Sequence, residues 1–265
     1  MSPDNTRPLA RHHAVITGGG RGIGAAIAET LARQGATISL IGRNAETLQA
    51  AANRMANDYG AKVATAPADV ADEAAVKKAM ASLKAALGAA TILVNNAGVA
   101  ISSPFLKSDA AFWRKTLDID LMGAVYCTQA VLPAMLEAKW GRVINIASTA
   151  GVVGYAYVTA YCAAKHAMIG FTRALALETA RTGVTVNAVC PGYAETEMTA
   201  QTVANIVEKT GRTREEAIAS LVALNPQRRL IQPQEVADAV AWLCGDNSGS
   251  VTGQSIMIAG GEAMP

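Results

Sequence analysis

Short apolar runs alternate with longer stretches of helical periodicity almost from end to end of this 265-residue chain. AVITG (14–18) has the character of a buried strand. The helix predicted after it, from about Gly22 to Gln34, carries Ile23, Ile27 and Leu31 at four-residue spacing. The same rhythm predicts strands at 36–42, 62–69, 91–98, 142–148, 184–190 and 254–260, with helices at 45–59, 72–87, 109–138, 158–181 and 233–244. Strands this apolar, bounded by turn residues and separated by helices, suit a parallel sheet covered on both faces. Repeated β-α-β units with right-handed crossovers make it a doubly wound, Rossmann-type α/β fold. No linker divides 1–265, so one domain is expected, with 1–13 as a polar lead-in. Residues 195–231 stand outside the alternation and are mostly helical in pattern, which suits a substrate lid.

Composition narrows the class of partner. Half of the residues are hydrophobic, 17% are charged and the net charge is +2, which describes a globular chain. No basic stripe points to nucleic acid, and no apolar run of membrane-spanning length or signal-peptide character is evident. Cys127, Cys162, Cys190 and Cys244 are scattered, and His12, His13 and His166 form no ligand set. Free thiols, no metal and a cytoplasmic setting are therefore expected.

TGGGRGIG (17–24) joins the first strand to the first helix. Gly18 permits a tight turn, Gly22 lets backbone approach a pyrophosphate, and Gly24 allows helix to pack on strand. The free amides of a helix N-terminus then meet phosphate. After the second strand the chain reads LIGRN, with Arg43 where an acidic residue would read a ribose 2′-hydroxyl. Together with Arg21 it favours a 2′-phosphate, hence NADP(H), with NAD(H) as the alternative.

Tyr161 and Lys165 are four residues apart on a predicted helix and so share one face. A free phenol is a poor donor-acceptor at neutral pH, and a nearby ammonium stabilises its phenolate. Ser148 is placed at a strand end, where a parallel sheet presents ligands.

The ordered set TGGGRGIG, NNAG (95–98), Ser148, Y-x-x-x-K (161–165) and PGYAET (191–196) resembles the short-chain dehydrogenase/reductase family from about Ala14 to Gly261. Within it the chain is most similar to NADP(H)-dependent β-ketoacyl and polyketide ketoreductases and hydroxyacyl dehydrogenases. The resemblance implies hydride transfer between nicotinamide and a ketone or secondary alcohol. It implies Tyr161 as general acid/base, Lys165 lowering its pKa and holding the nicotinamide ribose, and Ser148 orienting the carbonyl. It further implies cofactor contacts from Gly18, Arg21, Gly22, Ile23, Gly24, Arg43, Asp69, Val70, Asn95, Pro191, Gly192, Ala194 and Thr196. Tyr155 and Tyr157 are read as substrate-pocket or core residues.

One position departs from the family. Asp120, in LDIDLMG (117–123), stands where an asparagine usually completes a catalytic tetrad. Two readings stay open: a negative charge beside Lys165, or a replaced structural hydrogen bond. The apolar stretches of 195–231, rimmed by Lys209, Arg212, Arg214, Arg228 and Arg229, suit a ketone carried on coenzyme A or a carrier protein, with free ketones as the alternative. The family's packing implies a homotetramer. A non-catalytic cofactor sensor on the same fold and an NAD-dependent alcohol dehydrogenase are the competing readings.

Overall fold

The computed structural model describes residues 7–264. Seven parallel strands form one sheet in the order β3-β2-β1-β4-β5-β6-β7: β1 (His13–Thr17), β2 (Thr37–Gly42), β3 (Val63–Pro67), β4 (Ile92–Asn95), β5 (Gly141–Ile146), β6 (Val184–Pro191) and β7 (Ser255–Ile258). Strand residues point alternately to two faces, and each face has its own apolar layer. Ile16, Ile38, Leu40, Val94, Ile144 and Ile146 pack with α1 (Gly22–Arg33), α2 (Ala45–Tyr59) and α9 (Pro233–Cys244). Val15, Ile41, Leu93, Val143 and Val186 pack with α3 (Glu73–Leu87), α5 (Gly123–Glu137) and α6 (Thr159–Thr179). The doubly wound expectation is met.

Two of the observed strands end well before their apolar runs do. The run 91–98 is strand only over Ile92–Asn95, and 142–148 only to Ile146. In both cases the chain leaves the sheet at its C-terminal edge and turns into a loop. Strand β1 pairs with β2 on one side and β4 on the other, so the order reverses at β1. A crevice forms at that switch point, outside the carboxyl ends of the strands.

One boundary needs correction, and one helix proves irregular. The lead-in is not free up to residue 13: Leu9 is fully buried, and His12 and His13 are buried with β1 beginning at His13. Residues 1–6 of that segment lie outside the described residues. The 109–138 helix is continuous but irregular. Between α4 (Ala110–Leu117) and α5 lies one π-helical turn, Asp118–Met122, holding Asp120. A π turn inserts a residue and rotates the face that follows, and such turns recur at functional sites. Helix Ala110–Glu137 is also long and apolar enough to cross a bilayer, a match not expected from the sequence. Here it packs between α3 and α6 as part of the fold.

The 195–231 segment forms α7 (Glu197–Thr210) and α8 (Arg214–Leu221), which pack on each other. It returns to the sheet where Ile231 pairs with Ala194.

Candidate active site

The glycine turn is built so that only glycine fits. Gly18 has φ +65° and Gly22 φ +54°, both in the left-handed region. A Cβ at Gly24 would run into the carbonyl oxygen of Gly18, and one at Gly18 would stand 2.8 Å from Asn96 Nδ2. Asn96 donates to the carbonyls of Thr17 and Gly18 at 2.9 and 3.3 Å, tying the turn to the loop after β4. The glycines leave the turn that opens α1 without side chains of its own at 18, 22 and 24, as a close approach of pyrophosphate to backbone amides requires. The residues present fit a dinucleotide.

On the adenosine side, Arg43 and Asp69 share a cavity of about 420 Å³ with Ala71, Arg114, Lys115, Asp118 and Ile119. Asp69 accepts from the Ala71 amide at 3.1 Å, and Val70 is buried against Gly123. Arg114 and Lys115 were not singled out in the sequence. Only the fold carries the start of the long helix to the end of β2. Arg21 is exposed, and its guanidinium meets Glu197 Oε2 at 2.6 Å. Glu197 opens α7, so this pair spans from the glycine turn to the inserted segment. Thr196, which caps α7 by accepting from Thr199 N, places its methyl where a Gly22 Cβ would lie 3.4 Å away.

Asn95 departs from its expected setting. Its side chain is buried and donates to Thr128 Oγ1 at 3.1 Å and Asn145 Oδ1 at 2.9 Å, while Asn145 donates to Thr172. This network braces β4, β5, α5 and α6 beneath the site, so the Asn95 side chain does not reach the cleft. Pro191 ends β6, Gly192 lies against Ala259 and Glu262, and Ala194 is buried at its bridge to Ile231.

Ser148 follows β5 and caps a short turn, its Oγ accepting from Ala150 N at 3.1 Å. Helix α6 starts at Thr159 and brings Tyr161 and Lys165 one turn apart beneath Ser148. Lys165 is almost fully buried. Its Nζ donates to Ile146 O at 2.9 Å, lies 5.6 Å from the Tyr161 ring centroid, and is 3.6 Å from Asp120 Oδ1. Asp120 is completely buried. Oδ1 accepts from Val99 N at 3.1 Å, and Oδ2 has no hydrogen-bond partner among the described residues. A single atom, Oδ1, thus makes both the hydrogen bond to Val99 and the approach to Lys165.

The electrostatics invert one expectation. Burial pushes the Asp120 carboxyl up to about 6, opposed by the Lys165 ammonium and the Val99 amide. The Tyr161 phenol is pushed up, not down: burial dominates, Asp120 adds to it, and the Ser148 hydroxyl only partly offsets it. The ammonium expected to lower it is held by the Ile146 carbonyl and faces the Asp120 carboxylate.

Tyr155 is half-buried. Its hydroxyl bonds to Thr149 Oγ1 at 2.8 Å and donates to Glu262 through a short hydrogen bond. Tyr157 is 66% exposed, with φ +68°, and its carbonyl accepts from Ser103 N. Glu262 and Tyr193 were missed, since nothing near them in the chain marks them. They meet Tyr155 only because β6 lies beside β5 and β7 beside β6.

A phosphate-cradling turn at a parallel-sheet switch point, beside Ser148, Tyr161 and Lys165, defines a dinucleotide-type oxidoreductase site. Comparison with known families agrees: the short chain dehydrogenase model matches residues 12–206. The chain belongs to the short-chain dehydrogenase/reductase family and is an enzyme of that family. It is 37% identical over 248 residues to the 3-oxoacyl-(acyl-carrier-protein) reductase FabG of Aquifex aeolicus, covering 94% of this chain and 96% of that one. Among solved structures it resembles a variant actinorhodin polyketide ketoreductase with NADPH, at TM-score 0.90 and 36% identity over 95% of this chain and 97% of that one. It also resembles the L-sorbose reductase of Gluconobacter frateurii complexed with NADPH and L-sorbose, at TM-score 0.92 and 29% identity over 97% and 98%.

Proposed function

We propose that this protein interconverts a ketone and its secondary alcohol with NADP(H). The observation that carries the reading is the buried Lys165 ammonium, fixed by Ile146 O, beside Tyr161 in the crevice that opens at the glycine turn. The cofactor, when bound, supplies or accepts the hydride. Gly18, Gly22, Ile23 and Gly24 hold its pyrophosphate side, Asp69 and Val70 its adenine side, and Pro191, Gly192 and Thr196 its nicotinamide side. Arg43 supports NADP(H) over NAD(H), because it rims the adenosine cavity with Arg114 and Lys115 and no acid ends β2. The relatives found with NADPH support the same choice.

Tyr161 hands its proton to the carbonyl oxygen in reduction and takes it back in oxidation. The raised phenol keeps Tyr161 protonated at neutral pH, the state reduction needs. Ser148 holds the substrate oxygen toward Tyr161. Lys165 stabilises the phenolate left after proton transfer, and Asp120 sets how much of the ammonium's field Tyr161 feels.

The named relatives act on an acyl-carrier ketone, a polyketide and a sugar, which supports the carbonyl/alcohol class and leaves its members open. A 3-oxoacyl thioester and a free ketone both fit that class. Arg229 is bound to Glu235 and Arg228 to Ala223 O, so only Lys209, Arg212 and Arg214 of the basic rim are left to meet a carrier. The α7–α8 segment acts as the lid. Leu177 on α6, 81% exposed, supports burial against a second copy in a homotetramer.

The test is loss of NADPH absorbance with a panel of β-ketoacyl thioesters and free ketones. Tyr161→Phe should lose at least about a hundredfold in kcat, the usual scale of general acid catalysis. Tight NADPH binding with no turnover of any ketone would point instead to a cofactor sensor.

A further inference from the structure

The carboxylate of Glu262 stands at the same end of the sheet as the reacting groups, and the reaction just proposed gives it no role. It lies four residues beyond β7 and is half-buried. One oxygen accepts from Tyr155, whose hydroxyl also bonds Thr149, the residue after Ser148. A phenol has one proton. With it directed at the carboxylate, Thr149 must donate to the Tyr155 oxygen, so the chain Thr149–Tyr155–Glu262 is fully polarised toward Glu262. The other oxygen, Oε2, abuts Gly192, where a Cβ would stand 2.8 Å away. No described donor satisfies Oε2, and no described lysine, arginine or histidine comes within 4.0 Å of the carboxylate. Tyr193 stands edge-on to Tyr155 with ring centroids 6.4 Å apart, and burial, with the Glu262 carboxylate adding to it, raises its phenol.

A half-buried carboxylate with no counter-ion among the described residues, tied through Tyr155 and Thr149 to the residue after Ser148, leaves one oxygen able to take a donor from outside the protein. We infer that Glu262 is a specificity residue that selects ketones or alcohols bearing a second hydrogen-bond donor, a hydroxyl or ammonium, away from the reacting carbon. Substrates carrying a carboxylate there are rejected by like charge, and purely apolar ones leave the carboxylate desolvated and unpaired. The inference rests on the ketone/alcohol reading of the same site and narrows it.

The experiment uses matched methyl ketones whose far end is methyl, hydroxyl, ammonium or carboxylate, assayed with NADPH. In parallel, calorimetry measures binding of the corresponding alcohols to the NADP⁺-loaded protein, a readout that needs no turnover. The wild type should favour the hydroxyl and ammonium compounds over the carboxylate by about tenfold or more, the scale of a charge-assisted hydrogen bond. Glu262→Gln keeps shape and an acceptor for Tyr155 but loses the charge. It should gain at least about fivefold for the carboxylate compound and lose about as much for the ammonium one. Parallel changes for all four compounds in Glu262→Gln would assign the residue to tail anchoring and overturn the inference. A wild type that binds the carboxylate compound best would overturn it without any variant. If no ketone is reduced the parent reading fails, and the calorimetric ranking still decides the role of Glu262.

Discussion

The carboxylate of Asp120 lies 3.6 Å from the ammonium of Lys165, with both side chains buried. At that separation the Lys165 ammonium opposes the rise that burial imposes on Asp120, and Asp120 in turn raises Tyr161. The π-helical turn makes the approach. It turns Asp120 inward toward Gly98 and Val99, at the point where the long helix passes the end of β4.

The first consequence is a pH signature. Above about pH 6 Asp120 is ionised and disfavours the Tyr161 phenolate that alcohol oxidation requires as base. Asp120→Asn removes this charge and keeps an acceptor for Val99 N. The limb of the oxidation profile on which the rate rises with pH should move down by roughly one pH unit, the low end of the effect of a charge at this range. A profile superimposable on the wild type would limit Asp120 to a hydrogen-bonding part.

Gly98 has no room to grow. A Cβ there would stand 2.6 Å from Asp120 Oδ1 and 3.6 Å from Lys165 Nζ. Gly98→Ala should lower stability by about 1–3 kcal/mol through overpacking and shift the pH profile as Asp120 is displaced. Thermal melts and the same titration read both. An unchanged melt together with an unchanged profile would mean that the loop relaxes freely.

Cofactor choice should turn on Arg43. Arg43→Ala is expected to lower NADPH affinity about tenfold, within the range for hydrogen bonds to charged groups, and to leave NADH nearly unaffected. Arg21 is already paired with Glu197, so Glu197→Gln should strengthen NADPH binding modestly by releasing it. Fluorescence titration with both nucleotides distinguishes these effects. Equal losses for NADPH and NADH in Arg43→Ala would place it outside the 2′-phosphate site.

Acid should destabilise the far end of the sheet. His13 donates through Nδ1 to Gly88 O at 3.0 Å and shares a hydrogen bond between Nε2 and the Ser39 hydroxyl at 2.8 Å, and its burial favours the neutral ring. His12 stacks on Trp140, and burial lowers the pKa of both histidines below 6.5. A lowered folded value means that the unfolded chain binds the proton more tightly. Their contribution is therefore present above pH 6.5 and lost as pH falls below it. Asp120, with a raised value, has the opposite sign: its contribution is present at low pH and lost as pH rises through about 6. The Tm should fall on acidification below 6.5, and less steeply in His13→Gln. Equal acid sensitivity in that variant would exclude His13 as a source.

Alternation of apolar runs and amphipathic helices along the chain determined the succession of seven strands with intervening helices and the covering of both faces, because burial acts locally on patterned segments. Glycines at 18, 22 and 24 and the Tyr161–Lys165 spacing were legible for the same reason: a turn's φ angles and one helical step are short-range properties. Contacts between distant segments were not legible. Glu262 meets Tyr155 across 107 positions and Arg21 meets Glu197 across 176, joined only because the strand order gathers their loops at the C-terminal ends of the strands. The sequence placed Asp120 near Lys165, but the direction of the Tyr161 shift followed from burial and from which carbonyl held the ammonium. Those quantities exist only once the helices have closed over the sheet, since desolvation belongs to the packed assembly and to no residue alone.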